Sequence, residues 1–163
     1  AAVAAKEMKL AVQTDPSLLP GFLWLAQIYH RDRMNVDAEK YYRSVIALKS
    51  DNYPALAGLG DLMIESQRGP QAADFLSRAI ALKPEIAETR AKLALVYDTL
   101  TKEPIKALQT LRDLRVAIER GRARGKLDYD IGAKIRSIEQ SMKAESTAQA
   151  REREPAQEKK KGG

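Results

Sequence analysis

The chain of 163 residues contains no cysteine, which excludes a disulfide framework and thiolate metal sites. Proteins of the cytoplasm and of the periplasm can both lack cysteine, so its absence assigns no compartment. Aromatic residues make up only 6% of the sequence, whereas alanine and leucine are plentiful. This composition favours helices that meet through small residues over a β-sandwich. No apolar run approaches the roughly 20 residues that a membrane-spanning helix needs, so we expect no membrane insertion.

We expect no signal peptide among the first residues. Residues 1–5 are small, but no basic segment precedes them, and Lys6, Glu7 and Lys9 soon interrupt the apolar run. The chain begins with Ala1 rather than methionine. We therefore expect that the parent protein extends further in the N-terminal direction.

The basic excess of the chain is unevenly distributed. The formal net charge is +6. Residues 1–118 contain 16 Lys and Arg against 14 Asp and Glu, whereas residues 119–163 contain 12 against 8. The body of the chain is therefore nearly neutral, and most of the positive charge lies in the last quarter.

The sequence contains no arrangement typical of an enzyme. His30 is the only histidine and has no cysteine or second histidine as a companion for metal or acid–base chemistry. Gly58-Leu59-Gly60 lacks the third glycine of a dinucleotide fingerprint and falls within a helical pattern, where close helix packing explains it. Neither a nucleophile elbow nor a phosphate-binding loop is present. We predict a protein with no catalytic residues, no metal and no cofactor.

The sequence repeats itself at an offset of 34 residues. At this offset, large residues align with large ones and small residues align with small ones. The aligned columns are Leu25, Leu59 and Leu93; Ala26, Gly60 and Ala94; Tyr29, Met63 and Tyr97; Ala4, Ala38 and Ala72; Met8, Tyr42 and Leu76; Ala11, Val45 and Ala79; Val12, Ile46 and Ile80; and Pro16, Ser50 and Pro84. So many matches at one offset predict a repeat architecture.

Each unit of the repeat predicts a helix, a tight turn and a second helix. Apolar residues recur at helical spacing on both sides of a breaker. The breakers are Asn35 in the first unit, Gly69-Pro70 in the second and Glu103-Pro104 in the third, and Pro70 and Pro104 also stand 34 apart. Proline suits the first turn of a helix, because its missing N–H would be unpaired there. A small residue such as Gly60 lets two helices approach closely.

The period and the columns resemble the tetratricopeptide repeat, whose consensus places aromatic, Leu, small, Tyr, Ala and Pro residues at set positions. Residues 22–29 match the first half of this consensus, and residues 72–84 match the second half. The resemblance covers residues 1–120. It implies an all-α fold, a right-handed superhelical solenoid of helix–turn–helix repeats. It also implies a non-enzymatic scaffold or adaptor that binds other proteins.

Some positions depart from the family pattern. Arg90 stands where an aromatic residue is usual, and the same position of the preceding unit is Leu56. After Pro104, the residues that match the second-helix columns come one position late; they are Ala107, Leu111 and Leu114. We expect the last repeat to be less regular than the others, as terminal repeats often are.

We predict seven segments along the chain. They are the second helix of a truncated repeat at 1–16, repeats at 19–52 and 53–86, an irregular terminal repeat at 87–120, a basic loop at 121–127, a capping helix at 128–145 and a disordered tail at 146–163. The capping helix carries an apolar stripe that covers the open end of the solenoid, formed by Ile131, Ile135, Ile138 and Met142. Asp128 or Asp130 is expected to cap its first turn. The tail lacks large apolar residues.

The resemblance implies that the first helices of successive units line a concave groove. Residues one turn apart that do not belong to the packing columns face this groove. The candidate groove residues are Leu23, Gln27, His30 and Arg31 in the first unit, Ala57, Asp61, Ile64 and Glu65 in the second, and Ala91, Leu95 and Asp98 in the third. We therefore predict that a peptide or helix of another protein binds there.

The candidate groove residues are partly apolar and partly acidic. Relatives that bind chaperone tails grip a terminal carboxylate with Lys, Asn and Arg, and this chain lacks those residues at the matching places. We therefore expect a partner segment with apolar anchors and some positive charge rather than an acidic C-terminus. Trp24, the sole tryptophan, lies beside the groove, where it is either a binding hot spot or support for the core.

Two other surfaces offer alternative functions. A basic patch would bind nucleic acid or another acidic surface through Arg112, Arg115, Arg120, Arg122, Arg124 and Lys126, together with residues 159–161. Aromatic residues that could stack on bases are missing from this patch, so nucleic acid is the less favoured partner. Self-association is the second alternative, because the unpaired first helix would expose Met8, Ala11 and Val12 to a neighbouring copy.

Overall fold

A computed structural model describes residues 2–127 and 129–158. Within these ranges, eight α-helices follow one another. They are α1 (Ala2–Thr14), α2 (Leu19–Arg31), α3 (Asn35–Leu48), α4 (Tyr53–Glu65), α5 (Gly69–Leu82), α6 (Ala87–Leu95), α7 (Pro104–Glu119) and α8 (Ile131–Glu158). A π-helical segment, Val96–Leu100, continues α6. None of the helices in this part of the chain is long and apolar enough to span a membrane.

The helices pack in consecutive pairs. Contacts are most extensive between α2 and α3, between α4 and α5, and between α6 and α7. Each pair contacts the next through α3 with α4 and α5 with α6. The chain therefore forms the all-α, right-handed solenoid of helix–turn–helix repeats that the sequence predicts.

The turn inside each unit has the same backbone conformation. Arg33, Gln67 and Lys102 have positive φ angles of 62°, 57° and 56°. In the first two units, the N–H of the following residue bonds to a carbonyl five residues earlier, from Met34 to Tyr29 and from Arg68 to Met63. A left-handed residue of this kind ends a helix and satisfies its last carbonyls.

The third unit contains one extra residue in front of its turn. There the N–H of Glu103 bonds six residues back, to the carbonyl of Tyr97. The π-helical segment accommodates the extra residue. The N–H of Thr101 donates to the carbonyl of Val96, five residues earlier, whereas an α-helix would pair it with Tyr97. This insertion explains why the second-helix columns come one position late in this unit. Pro70 and Pro104 are consequently not equivalent, because Pro70 is the second residue of α5 and Pro104 is the first of α7.

The columns of the repeat form the hydrophobic core. Leu25, Leu59, Ala38 and Ala72 are completely buried. Gly60 allows the close helix approach that the sequence predicts, because a β-carbon there would stand 2.6 Å from Cδ2 of Leu76. The size pattern of the sequence therefore reports how the helices pack.

Helix α1 packs its apolar face on α2. Val12 is buried, Met8 is half-buried, and both side chains lie against Gly21 of α2. The expected exposure of Met8, Ala11 and Val12 is therefore wrong, because Val12 is buried and Met8 and Ala11 are half-buried. Self-association itself stays a prediction. A second helix without its own first helix still contacts the first helix of the next unit. Among the α1 side chains that the structure describes, that of Leu10 is exposed.

Helix α8 covers the C-terminal end of the solenoid. Its predicted apolar stripe packs against α6 and α7, where the contacted residues are Ala94, Tyr97, Ala107, Leu108 and Leu111. Asp130 caps the helix, because its Oδ1 accepts the N–H of Ala133 at 2.9 Å. The N–H groups of Ala133 and Gly132 hold the pKa of the Asp130 carboxyl below its usual value. Asp128, the other predicted cap, lies outside the described residues.

Helix α8 is longer than the sequence predicts. It continues to Glu158, whereas we expected the helix to end at residue 145 and a disordered tail to follow. Residues 146–158 consist mainly of Ala, Gln, Glu and Arg, which have high helix propensity. Adding such residues to an existing helix avoids the cost of nucleation. Residues 159–163 lie outside the described part of the chain.

Candidate binding groove

The candidate groove residues lie on the first helices of the three units, α2, α4 and α6 with its π-helical continuation. Helix α8 extends this row, because Nζ of Lys134 lies 2.7 Å from Oδ2 of Asp98. The capping helix therefore stands beside α6 as a further first helix would, and it contributes side chains to the same surface.

Ion pairs join the successive helices of the row. We call them the groove ion pairs. They are Glu65 with Arg33 at 3.0 Å, Asp61 with Lys92 at 2.6 Å, and Asp98 with Lys134 at 2.7 Å. Nε2 of His30 also lies 3.4 Å from the Glu65 carboxylate. Lys92 reaches both carboxylate oxygens of Asp61. Each interface between neighbouring helices of the row thus contains one such pair.

The groove ion pairs change the expected charge of the surface. All three acidic residues of the predicted groove already have a basic partner within this chain. The expected preference for a positively charged partner assumed that these acids were unpaired. Because the acids are paired, the structure gives no reason to expect a positively charged partner. Lys92 and Lys134 are added to the groove residues.

A hollow of about 360 Å³ lies at the N-terminal end of the groove. Its lining consists of Gln27, His30, Arg31, Arg33, Tyr42 and Glu65. The ring of His30 stands edge-on to that of Tyr42, with 6.0 Å between the centroids. Burial, with a smaller effect of the Asp61 carboxylate, raises the pKa of Tyr42 to about 12. The phenol therefore stays neutral over the ordinary pH range.

The apolar groove residues are exposed to different degrees. Leu95 is 40% exposed, and Leu23, Ala57 and Ile64 are half-buried. Ala91 is buried and belongs to the core cluster with Leu114 and Ala117, so its predicted place on an open surface is wrong. The phenol of Tyr129 lies over it and donates a hydrogen bond of 3.4 Å to the Ala91 carbonyl. The loop before α8 thus closes this part of the groove.

Trp24 is the neighbour of Leu23 in α2. It is half-buried and packs against the core cluster that contains Leu25 and Leu59. Of the two predicted roles, support for the core is therefore present in this structure. A role of Trp24 as a binding hot spot stays a prediction.

The predicted basic patch is divided between helix α7 and the following loop. Arg112 pairs with Glu139 of α8 at 2.7 Å, and Arg115 lies 3.8 Å from Glu119. The exposed basic residues of the loop are Arg120, Arg122, Arg124 and Lys126. Residues 159–161, which we expected to join the patch, lie outside the described ranges.

The basic loop is fixed to the start of α6 by its backbone. The N–H of Arg124 donates to the Glu85 carbonyl at 2.7 Å, and the Arg124 carbonyl accepts the N–H of Ala87 at 3.0 Å. The N–H of Lys126 donates to the Glu88 carboxylate. These contacts hold the loop against the third unit with its basic side chains on the surface.

Residues 30–96 match the family model of the tetratricopeptide repeat. A comparison with curated proteins found no match. The matched residues contain the whole second unit and its contacts with both neighbours. This agrees with the 34-residue columns, which are most regular in the same part of the chain.

Several solved structures are similar to this chain. A MamA structure with 28% identity has a TM-score of 0.65, and the match covers 72% of this chain and 63% of that one. A second MamA structure has 21% identity and a TM-score of 0.65, with 88% and 90% covered. YrrB, described as a TPR protein with an unusual peptide-binding site, has 19% identity and a TM-score of 0.60, with 68% and 56% covered. The chain thus spans less than two thirds of the first and third of these proteins.

Proposed function

We propose, on the premise that this chain is a tetratricopeptide repeat protein, that it is a non-enzymatic scaffold holding a partner segment in its groove. A protein-interaction scaffold is the general role of this fold. The more specific part of the proposal is the surface, which consists of the exposed faces of α2, α4 and α6. The partner is a peptide or helix of another protein.

The observation that carries the proposal is a row of accessible apolar side chains between fixed charges. Leu23, Ile64 and Leu95 come from three successive first helices, and each remains partly exposed. The groove ion pairs lie between them. An extended or helical segment that crosses the three helices can bury these side chains and form hydrogen bonds to the paired charges. We expect the apolar anchors to supply most of the binding affinity and the polar contacts to fix the register of the bound segment.

The groove ion pairs also limit the charge of the partner. A strongly basic segment gains little binding energy from groove acids that are already paired with basic residues. A strongly acidic segment would have to displace those acids from their basic partners. The partner that suits this surface therefore has apolar side chains spaced along it and a small net charge. At the hollow beside His30, the partner would meet the basic side chains of Arg31 and Arg33.

The test is selection of peptides from a random library on the purified protein. A groove variant carries Leu23→Glu and Leu95→Glu. A matched control carries Leu82→Glu, at the end of α5, where the leucine is 40% exposed, as Leu95 is. Selected peptides should bind the wild type and the control but lose binding to the groove variant, while far-UV circular dichroism stays the same for all three. Equal binding to the groove variant would remove the proposal.

A further inference from the structure

The third unit lacks two large side chains that the other units use for packing. In the first helix, Phe22 and Leu56 are followed 34 residues later by Arg90. In the second helix, Tyr41 and Phe75 are followed by Thr110, one position late because of the extra residue in this unit. Arg and Thr thus replace an apolar pair at one place of the third unit.

The equivalent positions in the first two units are filled. The rings of Phe22 and Tyr41 lie with their centroids 6.2 Å apart. Leu56 is 1% exposed and Phe75 is 6% exposed, so both are core residues. The pair Phe22 and Tyr41 lies over α2, between α1 and α3. The pair Leu56 and Phe75 lies over α4, between α3 and α5.

In the third unit the same place is an open crevice of about 680 Å³. It lies between α5 and α7, and α6 forms its floor, on the opposite side of the repeat layer from the groove. Ile80, Leu93 and Val116 form its apolar walls. A volume of this size is in the range of sites that bind ligands. Because the ring present in the other units is missing, part of this space stays unfilled in the third unit.

The polar groups of the crevice have an excess of positive charge. Arg90 and Arg122 both line it, with Asp113 as the acidic residue. In the described ranges, neither guanidinium has a carboxylate within ion-pair distance. A guanidinium binds a carboxylate through two parallel hydrogen bonds, so these side chains are suited to an acidic ligand.

We propose that this crevice binds an aromatic side chain that stands next to a carboxylate in a segment of a partner protein. The ring occupies the space that Phe75 fills in the second unit, and the carboxylate binds Arg90 or Arg122. The C-terminal segment of this chain is not the occupant, because residues 143–163 contain no aromatic residue. The crevice is a second binding surface, separate from the proposed groove.

A pair of variants refills the crevice with residues that the repeat itself uses. Thr110→Phe restores the aromatic residue of the second helix. Arg90→Leu together with Thr110→Phe reproduces Leu56 and Phe75 of the second unit. Both variants should fold, and the double variant should unfold at a higher temperature than the wild type, because it buries apolar surface and removes a half-buried charge.

The probe is a dye-labelled peptide with blocked ends and one phenylalanine between two glutamates. Its binding is measured by fluorescence anisotropy. Control peptides replace the phenylalanine by alanine or both glutamates by lysine. We expect the wild type to bind the probe at least about tenfold more tightly than either control peptide, and both refilled variants to lose affinity by a similar factor. Leu23→Glu with Leu95→Glu should bind the probe as the wild type does.

Three results would overturn the proposal. The first is no binding of the probe to the wild type at millimolar concentration. The second is equal binding by the wild type and Thr110→Phe; if that variant fails to fold, equal binding by Arg122→Glu has the same meaning. The third is a dimer of the wild type in sedimentation that Thr110→Phe abolishes, because the occupant would then be a second copy of the chain.

Discussion

The backbone of Gly58 lies directly against the ring of Tyr42, so that a β-carbon at Gly58 would stand 2.4 Å from Cζ of the tyrosine. Tyr42 is 3% exposed, and its ring fills the space where α3 meets α4. Gly60 stands in a similar relation to Leu76 of α5. The glycines of Gly58-Leu59-Gly60 therefore serve close helix packing, as the sequence predicts.

Gly58→Ala should destabilise the protein. Alanine gains about 1 kcal/mol over glycine in helix propensity. Its methyl group, however, must displace a buried ring, and overpacking of a core costs about 1–3 kcal/mol. We expect a lower free energy of unfolding in urea, with cooperative unfolding retained.

Gly60→Ala is the matched control for this prediction. Ala26 and Ala94 occupy the same column as Gly60 in the other units, and the methyl groups of Leu76 can move more easily than the ring of Tyr42. Its effect should therefore be smaller. Adding Tyr42→Leu should recover part of the stability lost in Gly58→Ala. A Gly58→Ala protein as stable as the wild type would contradict the packing argument.

The sequence predicts the packing columns well but not the contacts across the groove. Periodicity reports burial, which is why Leu59 and Ala72 could be assigned to the core. Lys92 shares its column with Trp24 and Gly58, so no pattern of size or charge marks it as the partner of Asp61. Pairs between residues on different helices depend on the angle at which those helices cross, and one sequence does not contain this angle.

The extra residue of the third unit was visible in the sequence only as a change of register at Ala107. The sequence shows where the repeat columns match again after the extra residue. It does not show where the extra residue is inserted, because that depends on which backbone hydrogen bonds form. The structure assigns the insertion to Val96–Leu100. The predicted exposure of Ala91 failed for a related reason, because the loop that covers it follows the repeats and has no periodicity.

Deletion of Thr99 should be tolerated. This exposed residue lies in the π-helical segment, and its removal gives the third unit the 34-residue spacing of the others. The flanking helices can then keep their contacts while the segment becomes α-helical. We expect cooperative thermal unfolding with a Tm within a few degrees of the wild type, measured by calorimetry.

Deletion of Ser66 provides the comparison, because this exposed residue ends the first helix of the second unit, which has no extra residue. That deletion should rotate α5 relative to α4 and lower the Tm much more. If the Thr99 deletion were the more damaging of the two, the π-helical segment would not be the site of the insertion.

Glu39 should make stability depend on pH. Burial by itself would raise its pKa, but hydrogen bonds from Arg68 and Arg43 outweigh burial and lower the pKa. A carboxyl with a lower pKa in the folded state stabilises the protein above its unfolded-state pKa, and this contribution disappears as the pH falls through the folded-state value. Glu39→Gln should therefore cost about 0.5–1 kcal/mol at neutral pH.

The measurement is urea unfolding of the wild type and of Glu39→Gln between neutral and acid pH. Their difference in the free energy of unfolding should shrink as the pH falls below about 4. The control variant is Glu7→Gln, at an exposed glutamate of α1. A difference for Glu39→Gln that stays constant with pH would show that its charge is not what stabilises the interface with Arg68.

The capping function of α8 should reside in its apolar stripe and not in its length. Ile135 and Ile138 are buried against α7, whereas residues 143–150 are exposed. Ile135→Ser with Ile138→Ser leaves the end of the core open and should cost several kcal/mol, roughly 2–4, in calorimetry or urea unfolding. Removal of all residues after 145 should leave the Tm nearly unchanged, because it uncovers no large apolar side chain. If the truncation destabilised the protein as much as the two serines, the distal half of α8 would have to contribute contacts of its own, and the end of the solenoid would not be closed by the stripe alone.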